Sequence, residues 1–254
     1  MDLSALGPYV GYGTVHEPRA AGHAQALGGI MLSSGPHMQW NPAILDAHVA
    51  PGFSSFTSAE IPPLSDAFPQ APHWLANHFL NAVLRGTFTD GQRQACVAFL
   101  RRVQECITCY SEARTATQAH FTRGSAQPGL KTYYAAVAQW EATLLQLSIA
   151  LDTMRFFGGG TKLFAKNDGT PLQRLYTIAN HVKHVGSCIS SGQCTPADTL
   201  PLWLSSSGLC SFDTEATWAE LASVIDELTE LADMMQDPIT FADKLRASID
   251  RLQQ

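Results

Sequence analysis

The sequence is short of charge, of cysteine and of any long apolar run, and each shortage excludes something. Only 15% of its 254 residues are charged while 45% are hydrophobic, which excludes a disordered polyelectrolyte and predicts a folded core. Six cysteines are too sparse for a disulfide framework at this length and fit reduced thiols. The most apolar stretch, 133–154, is interrupted by Gln139, Glu141, Gln146 and Asp152, so no bilayer-spanning helix and no membrane partner are expected. Met1-Asp2-Leu3-Ser4 has no basic segment leading into an apolar run, and a cytoplasmic location is the expectation. There is no G-x-S-x-G elbow, phosphate-binding loop, dinucleotide fingerprint or repeated Glu-x-x-His. The hydrolase, nucleotide and di-metal classes that need them are not indicated, and no cofactor is expected.

The charge that is present is unevenly placed. Residues 1–72 hold one arginine against five acids, 73–212 twelve basic residues against seven acids, and 213–254 three against ten. The middle is modestly basic and the end strongly acidic; a field of that size can attract phosphate-bearing partners but is far below the dense basic patches that signal nucleic acid from sequence alone. Residues 1–72 also carry eight glycines and nine prolines, which cannot sustain long helices. They still contain Trp40, Leu45, Phe53 and Phe56, so an irregular segment wrapped over the main body is expected.

From residue 73 onward the apolar spacing is helical. Trp74, Leu75, Phe79, Val83 and Leu84 predict a short helix. Asp90 is read as the cap of a long one with Ala95, Ala98, Phe99, Val103, Cys106 and Ile107 inward, running to about His120. A third helix from Leu130 to Phe157 places Tyr134, Val137, Trp140, Leu144, Leu147, Leu151 and Met154 on its inner stripe, and Gly158-Gly159-Gly160 stops it. Thr170-Pro171-Leu172-Gln173 is a capping-box start for a helix to about Ile189. Two acidic helices follow, from about Glu215 to Met235 and from Pro238 to Leu252. The expected architecture is therefore all-α: a helical bundle over 73–254 with an irregular Gly/Pro-rich segment over 1–72.

The densest polar constellation lies on the helix that Thr170 opens. Arg174 and His181 are seven residues apart, about two turns, so they project from nearly one face. Asn180, Lys183 and His184 add to that surface. A histidine able to move a proton near neutral pH, beside a guanidinium able to neutralise a phosphorane, is the minimum for metal-free RNA cleavage by the 2′-hydroxyl. The candidate catalytic residues are Arg174, His181 and His184, with Asn180 and Lys183 positioning phosphate. A second constellation pairs Cys106-x-x-Cys109 with His181-x-x-His184; on adjacent helices these four could surround Zn²⁺.

The stretch from Arg174 to His181 resembles the Arg-x4–6-His signature of HEPN-type helical domains. Lys162-Leu163-Phe164, Asp168-Gly169-Thr170, Arg174-Leu175 and Asn180 through His184 are together similar to a recurrent pattern in bacterial all-α proteins of that kind. The resemblance covers about 25 residues and departs from catalytic HEPN motifs at Leu175, where a polar residue is usual. It implies a late helix of a bundle, a homodimer that brings two motifs together, a role of defence or toxin type, and RNA as the substrate of a metal-independent endoribonuclease. Two alternatives stand beside it. One is a non-catalytic interaction module whose basic middle and acidic end meet other subunits; the other is a small-molecule or metal-binding bundle.

Overall fold

The computed structural model describes residues 41–66, 68–83, 89–122, 129–157, 162–193, 200–235 and 250–251. The first forty residues of the expected wrap, the Gly158-Gly159-Gly160 stop, Cys194 and all but two residues of the helix expected over 238–252 lie outside this set. The described chain is predominantly helical: α1 (Pro42–His48), α2 (Trp74–His78) continued by a wider π-type turn over Phe79–Val83, α3 (Asp90–Thr122), α4 (Leu130–Phe157), α5 (Pro171–Lys183), α6 (Val185–Ser190) and α7 (Trp218–Met234). The all-α expectation is corrected by a small antiparallel sheet between α6 and α7, with β1 (Trp203–Leu204), β2 (Gly208–Ser211) and β3 (Thr214–Thr217) in that order.

Helices α3 and α4 form an antiparallel hairpin, since Gly91 lies beside Phe156, Arg102 reaches Gln146, and His120 meets Thr132. Their shared seam buries Phe99, Val103, Cys106 and Tyr110 against Trp140, Leu144, Leu147 and Leu151. At its centre the Trp140 indole donates to Thr117 Oγ1 at 3.0 Å while packing on Trp218 of α7 with ring centroids 4.8 Å apart. Cys96 and Leu100 are buried where Ala95 and Ala98 were expected, and Tyr133 is buried while Tyr134 is 41% exposed. Neighbouring residues on a helix are about 100° apart, so a one-residue shift of the inner stripe exchanges such pairs. Tyr133 earns its position with a bond: its hydroxyl accepts the backbone N–H of Leu204 in β1 at 3.1 Å.

Two helix starts also move. Thr89, not Asp90, caps α3, because Thr89 Oγ1 accepts from the Gln92 N–H and Gln92 Oε1 accepts from the Thr89 N–H. α7 begins three residues later than expected: Thr214-Glu215-Ala216-Thr217 pairs with β2 in the register Leu209 to Ala216 and Ser211 to Thr214. Thr217 then closes a capping box with Glu220, and β-branched Thr suits the strand that precedes it. The hairpin demands glycine at 208, where a Cβ would collide with the Ala216 carbonyl.

Residues 41–66 lie against this framework. Phe53 and Phe56 pack around His120 and Tyr133, Tyr110 donates to the Pro62 carbonyl at 2.8 Å, and Arg114 Nε donates to the Ile61 carbonyl at 3.2 Å. Among the described residues no helix is long and apolar enough to cross a membrane.

Candidate functional site on helix α5

Helix α5 begins where Asp168 folds the preceding loop. Its carboxylate accepts from the backbone N–H groups of Ala165 and Thr170 and from the Thr170 hydroxyl. Those bonds, Thr170's first, hold the Asp168 carboxyl below its ordinary range. Thr170 caps the helix by accepting from the Gln173 N–H at 3.2 Å. The expected box is half closed, because the Gln173 amide turns forward to Thr177 Oγ1 at 2.8 Å. Leu172, Leu175, Ile178 and Ala179 are the buried stripe. At about 100° per residue the polar side chains then fall into three sectors: Arg174 with His181, Tyr176 with Lys183, and an outward set of Gln173, Thr177, Asn180 and His184.

The Arg174 and His181 sector faces the sheet and the start of α7. The Arg174 guanidinium donates through Nη2 to Glu220 Oε1. Glu220 Oε2 at the same time accepts the Thr217 N–H at 2.9 Å, as the capping box requires. Arg174 Nε is buried and has no hydrogen-bond partner among the described residues. Seven residues on, His181 Nδ1 lies 2.9 Å from Ser211 Oγ, and the Ser211 hydroxyl donates to the Pro201 carbonyl at 2.6 Å. Since the serine proton is committed to Pro201, its oxygen accepts from His181 Nδ1–H, and in the neutral ring the lone pair resides on Nε2. Burial pushes the His181 pKa below its ordinary value, against the pull of Asp213. Phe212, at the hairpin tip with φ +50°, packs edge-on with its ring centroid 4.9 Å from that of the imidazole.

The Tyr176 and Lys183 sector belongs to α4 instead. Tyr176 donates to Asp152 Oδ1 at 2.7 Å, and Lys183 Nζ lies 3.8 Å from Asp152 Oδ2 and 5.7 Å from the Tyr176 ring centroid. His184 is where the helix breaks: its φ of −118° and ψ of 32° end α5 and start α6, and its side chain is exposed. The single helix expected to Ile189 is thus two, with His181 half-buried and His184 exposed at the break. Asn180 is half-buried on the outward sector.

Of the five residues read from the sequence as a catalytic and phosphate-positioning set, Arg174 and His181 lie on one flank of α5 two turns apart, each on its own partner, Lys183 is paired with Asp152, Asn180 is half-buried, and His184 is exposed at the helix end. The four-residue zinc grouping is not assembled either. Cys106 is buried in the α3–α4 seam with its thiol 3.7 Å from the Thr143 carbonyl, while His181 faces Ser211. Among the described residues no group of three or more His, Cys, Asp and Glu side chains is placed to hold a metal ion. The residues that sequence reasoning missed are Glu220, Ser211 and Asp152. Glu220 alone had a signal, the Thr217-x-x-Glu220 box.

Three comparisons with known proteins, by family model, by curated sequence and by solved structure, match nothing to this chain.

Proposed function

We propose that the chain is a non-catalytic helical module that works by binding protein partners through its charged surfaces. The observation that carries this reading is the commitment of the two groups best suited to chemistry. The Arg174 Nη2–H is taken by Glu220, which sets a negative charge against the guanidinium, and His181 Nδ1–H is taken by Ser211. A guanidinium that must stabilise a phosphorane has to offer its donors to the substrate. Here one donor closes a helix-to-helix tie, so the sector acts as architecture that joins α5 to the hairpin and α7.

A second reading, a HEPN-like metal-independent endoribonuclease acting as a dimer, is supported by one observation. His181 keeps a free lone pair on Nε2 in the assigned tautomer, and its lowered pKa leaves it neutral and able to accept a proton at neutral pH.

The test is incubation of the purified chain with structured and unstructured RNA in EDTA, beside Arg174→Ala, His181→Gln and His184→Ala. The interaction reading expects no cleavage above background from any of them. Cleavage by the wild-type chain that is lost in folded His181→Gln overturns it and establishes the second reading.

A further inference from the structure

We infer that this chain associates with a second copy of itself, the arginine stripe of α3 from one copy entering an acidic groove along α7 of the other. The inference rests on the interaction reading and names its partner.

The groove runs between a strap formed by residues 62–66 and Phe68 on one side and α7 on the other, and has a volume of about 490 Å³. Pro62, Pro63 and Phe68 supply an apolar wall, and Asp226, Glu227 and Glu230 line the other side. Asp226 holds the strap in place by accepting the Ser65 N–H at 3.0 Å, and Glu230 accepts from Arg251 at 3.0 Å in an exposed pair. Glu227 Oε2 is shielded from water and has no hydrogen-bond donor among the described residues. Burial pushes its carboxyl up, Arg251 opposes that, and Glu230 adds to it. Among the described residues three carboxylates face one arginine here, and the same groove offers apolar surface.

The complementary surface is on the same chain. Arg93, Val97 and Arg101 recur every four residues, which places a cation, an apolar side chain and a cation along one stripe of α3 at steps of about 6 Å. Val97 is 43% exposed. Arg101 is exposed, and no polar partner for it is found among the described residues. Arg93 pairs with Asp90, whose side chain is 85% exposed, an ion pair that solvent keeps weak and that a stronger partner can displace. The pairing geometry follows from the signs. A two-fold contact of α3 on α3 sets arginine against arginine, and one of α7 on α7 sets acid against acid. Opposite charges meet where α3 of one copy faces α7 of another, whether the contact is reciprocal about a two-fold axis or repeats from copy to copy.

The experiment is sedimentation velocity on the full chain at about 20 mM and about 500 mM salt, a range over which the screening length shortens several-fold. The wild-type chain is expected to exceed the mass of one copy at low salt and to return to it at high salt. Arg93→Glu with Arg101→Glu, and separately Glu227→Lys with Glu230→Lys, are each expected to remain single copies. Mixed together the two variants are expected to associate again, because each then meets the opposite sign. Should the lysine variant fail to fold, the exposed Arg101→Glu on its own must still weaken association. A wild-type chain that stays single at low salt overturns the inference, as do variants that associate like the wild type or a mixture that does not recover. Binding of a fluorescein-labelled peptide of residues 93–102 to the groove supports it. Binding of an unrelated lysine-rich peptide with no self-association overturns it and leaves the interaction reading standing. His181-dependent RNA cleavage overturns that reading without deciding the association.

Discussion

Arg174 and Glu220, forty-six residues apart in the chain, are joined so that one carboxylate does two jobs: one oxygen takes the guanidinium of α5, the other closes the cap of α7 on the Thr217 N–H. The tie gives one end of the Arg174 and His181 flank a partner in α7, as Ser211 gives the other end a partner in β2. It also places the helix start that the capping box defines at the point where α5 needs a partner.

Breaking this tie should cost stability in a non-additive way. Glu220→Ala removes the cap and the ion pair together and is expected to lower the unfolding free energy by about 1–2 kcal/mol. Arg174→Met keeps the stem and removes only the part-exposed pair, for about 1 kcal/mol or less. The double variant should cost less than the two singles added, since the pair is counted twice among them. Urea unfolding of the four proteins measures it; simple additivity would mean that the two side chains do not interact.

Stability should fall on mild acidification. Burial holds His78, His120 and His181 below the ordinary value of 6.5, against the backbone bonds that raise the first two and Asp213 that raises the third. Above that value all three are neutral in both states and contribute nothing to pH dependence. Below it the unfolded chain takes up protons first, so stability declines until the pH passes the lower folded values. Glu141 and Glu227, which burial raises above 4.5, work in the opposite sense nearer that pH. The urea midpoint should drop between about pH 7.5 and about pH 5.5, and the drop should be smaller in His181→Gln. An equal drop in that variant would remove His181 from the account.

The bond between the Trp140 indole and Thr117 sits where three helices meet, and both partners are fully buried. Thr117→Val keeps the volume and leaves the indole N–H without its acceptor, for an expected loss of about 1–3 kcal/mol. Thr117→Ser, which keeps the oxygen, should recover most of it. Thermal unfolding of both variants checks this, and near-equal losses would show that packing, not the hydrogen bond, sets the cost.

Thiol chemistry should follow burial. Burial pushes the Cys96 thiol up to about 12 and the Cys106 thiol higher, with Cys109 adding to the latter. Cys109 is only half-buried and is raised by burial first and by Glu112 and Glu105 next. With an aromatic disulfide reagent at about pH 8, Cys109 should react slowly and Cys96 and Cys106 only after unfolding. Fast labelling of Cys106 in the folded chain would contradict its place in the seam, and zinc retained through dialysis would revive the four-residue metal grouping.

Much of the helical framework was legible in advance, because helical periodicity is a local property. The inner stripe of α7, from Trp218 through Leu221, Ile225, Leu228 and Leu231 to Met235, is buried as its spacing implies. The start of α5 at Thr170 was legible for the same reason, since a cap and its first turn lie within four residues. Errors fell where two neighbours were equally apolar, as at Tyr133 and Tyr134, and where Thr214 to Thr217 fits a strand or a helix until β2 is beside it.

What the residue order dictated unaided was that the stretches of α3, α4, α5 and α7 become helices, roughly where they begin, and that Arg174 and His181 share one flank of α5. What folding in three dimensions added was the identity of their partners: Glu220, Ser211 and, for Lys183, Asp152. Periodicity speaks about residues a turn or two apart, whereas a partner is chosen by which helices pack side by side. That packing is settled by the burial of Trp140, Trp218, Leu175 and Ile178 far more than by the charges that end up facing each other.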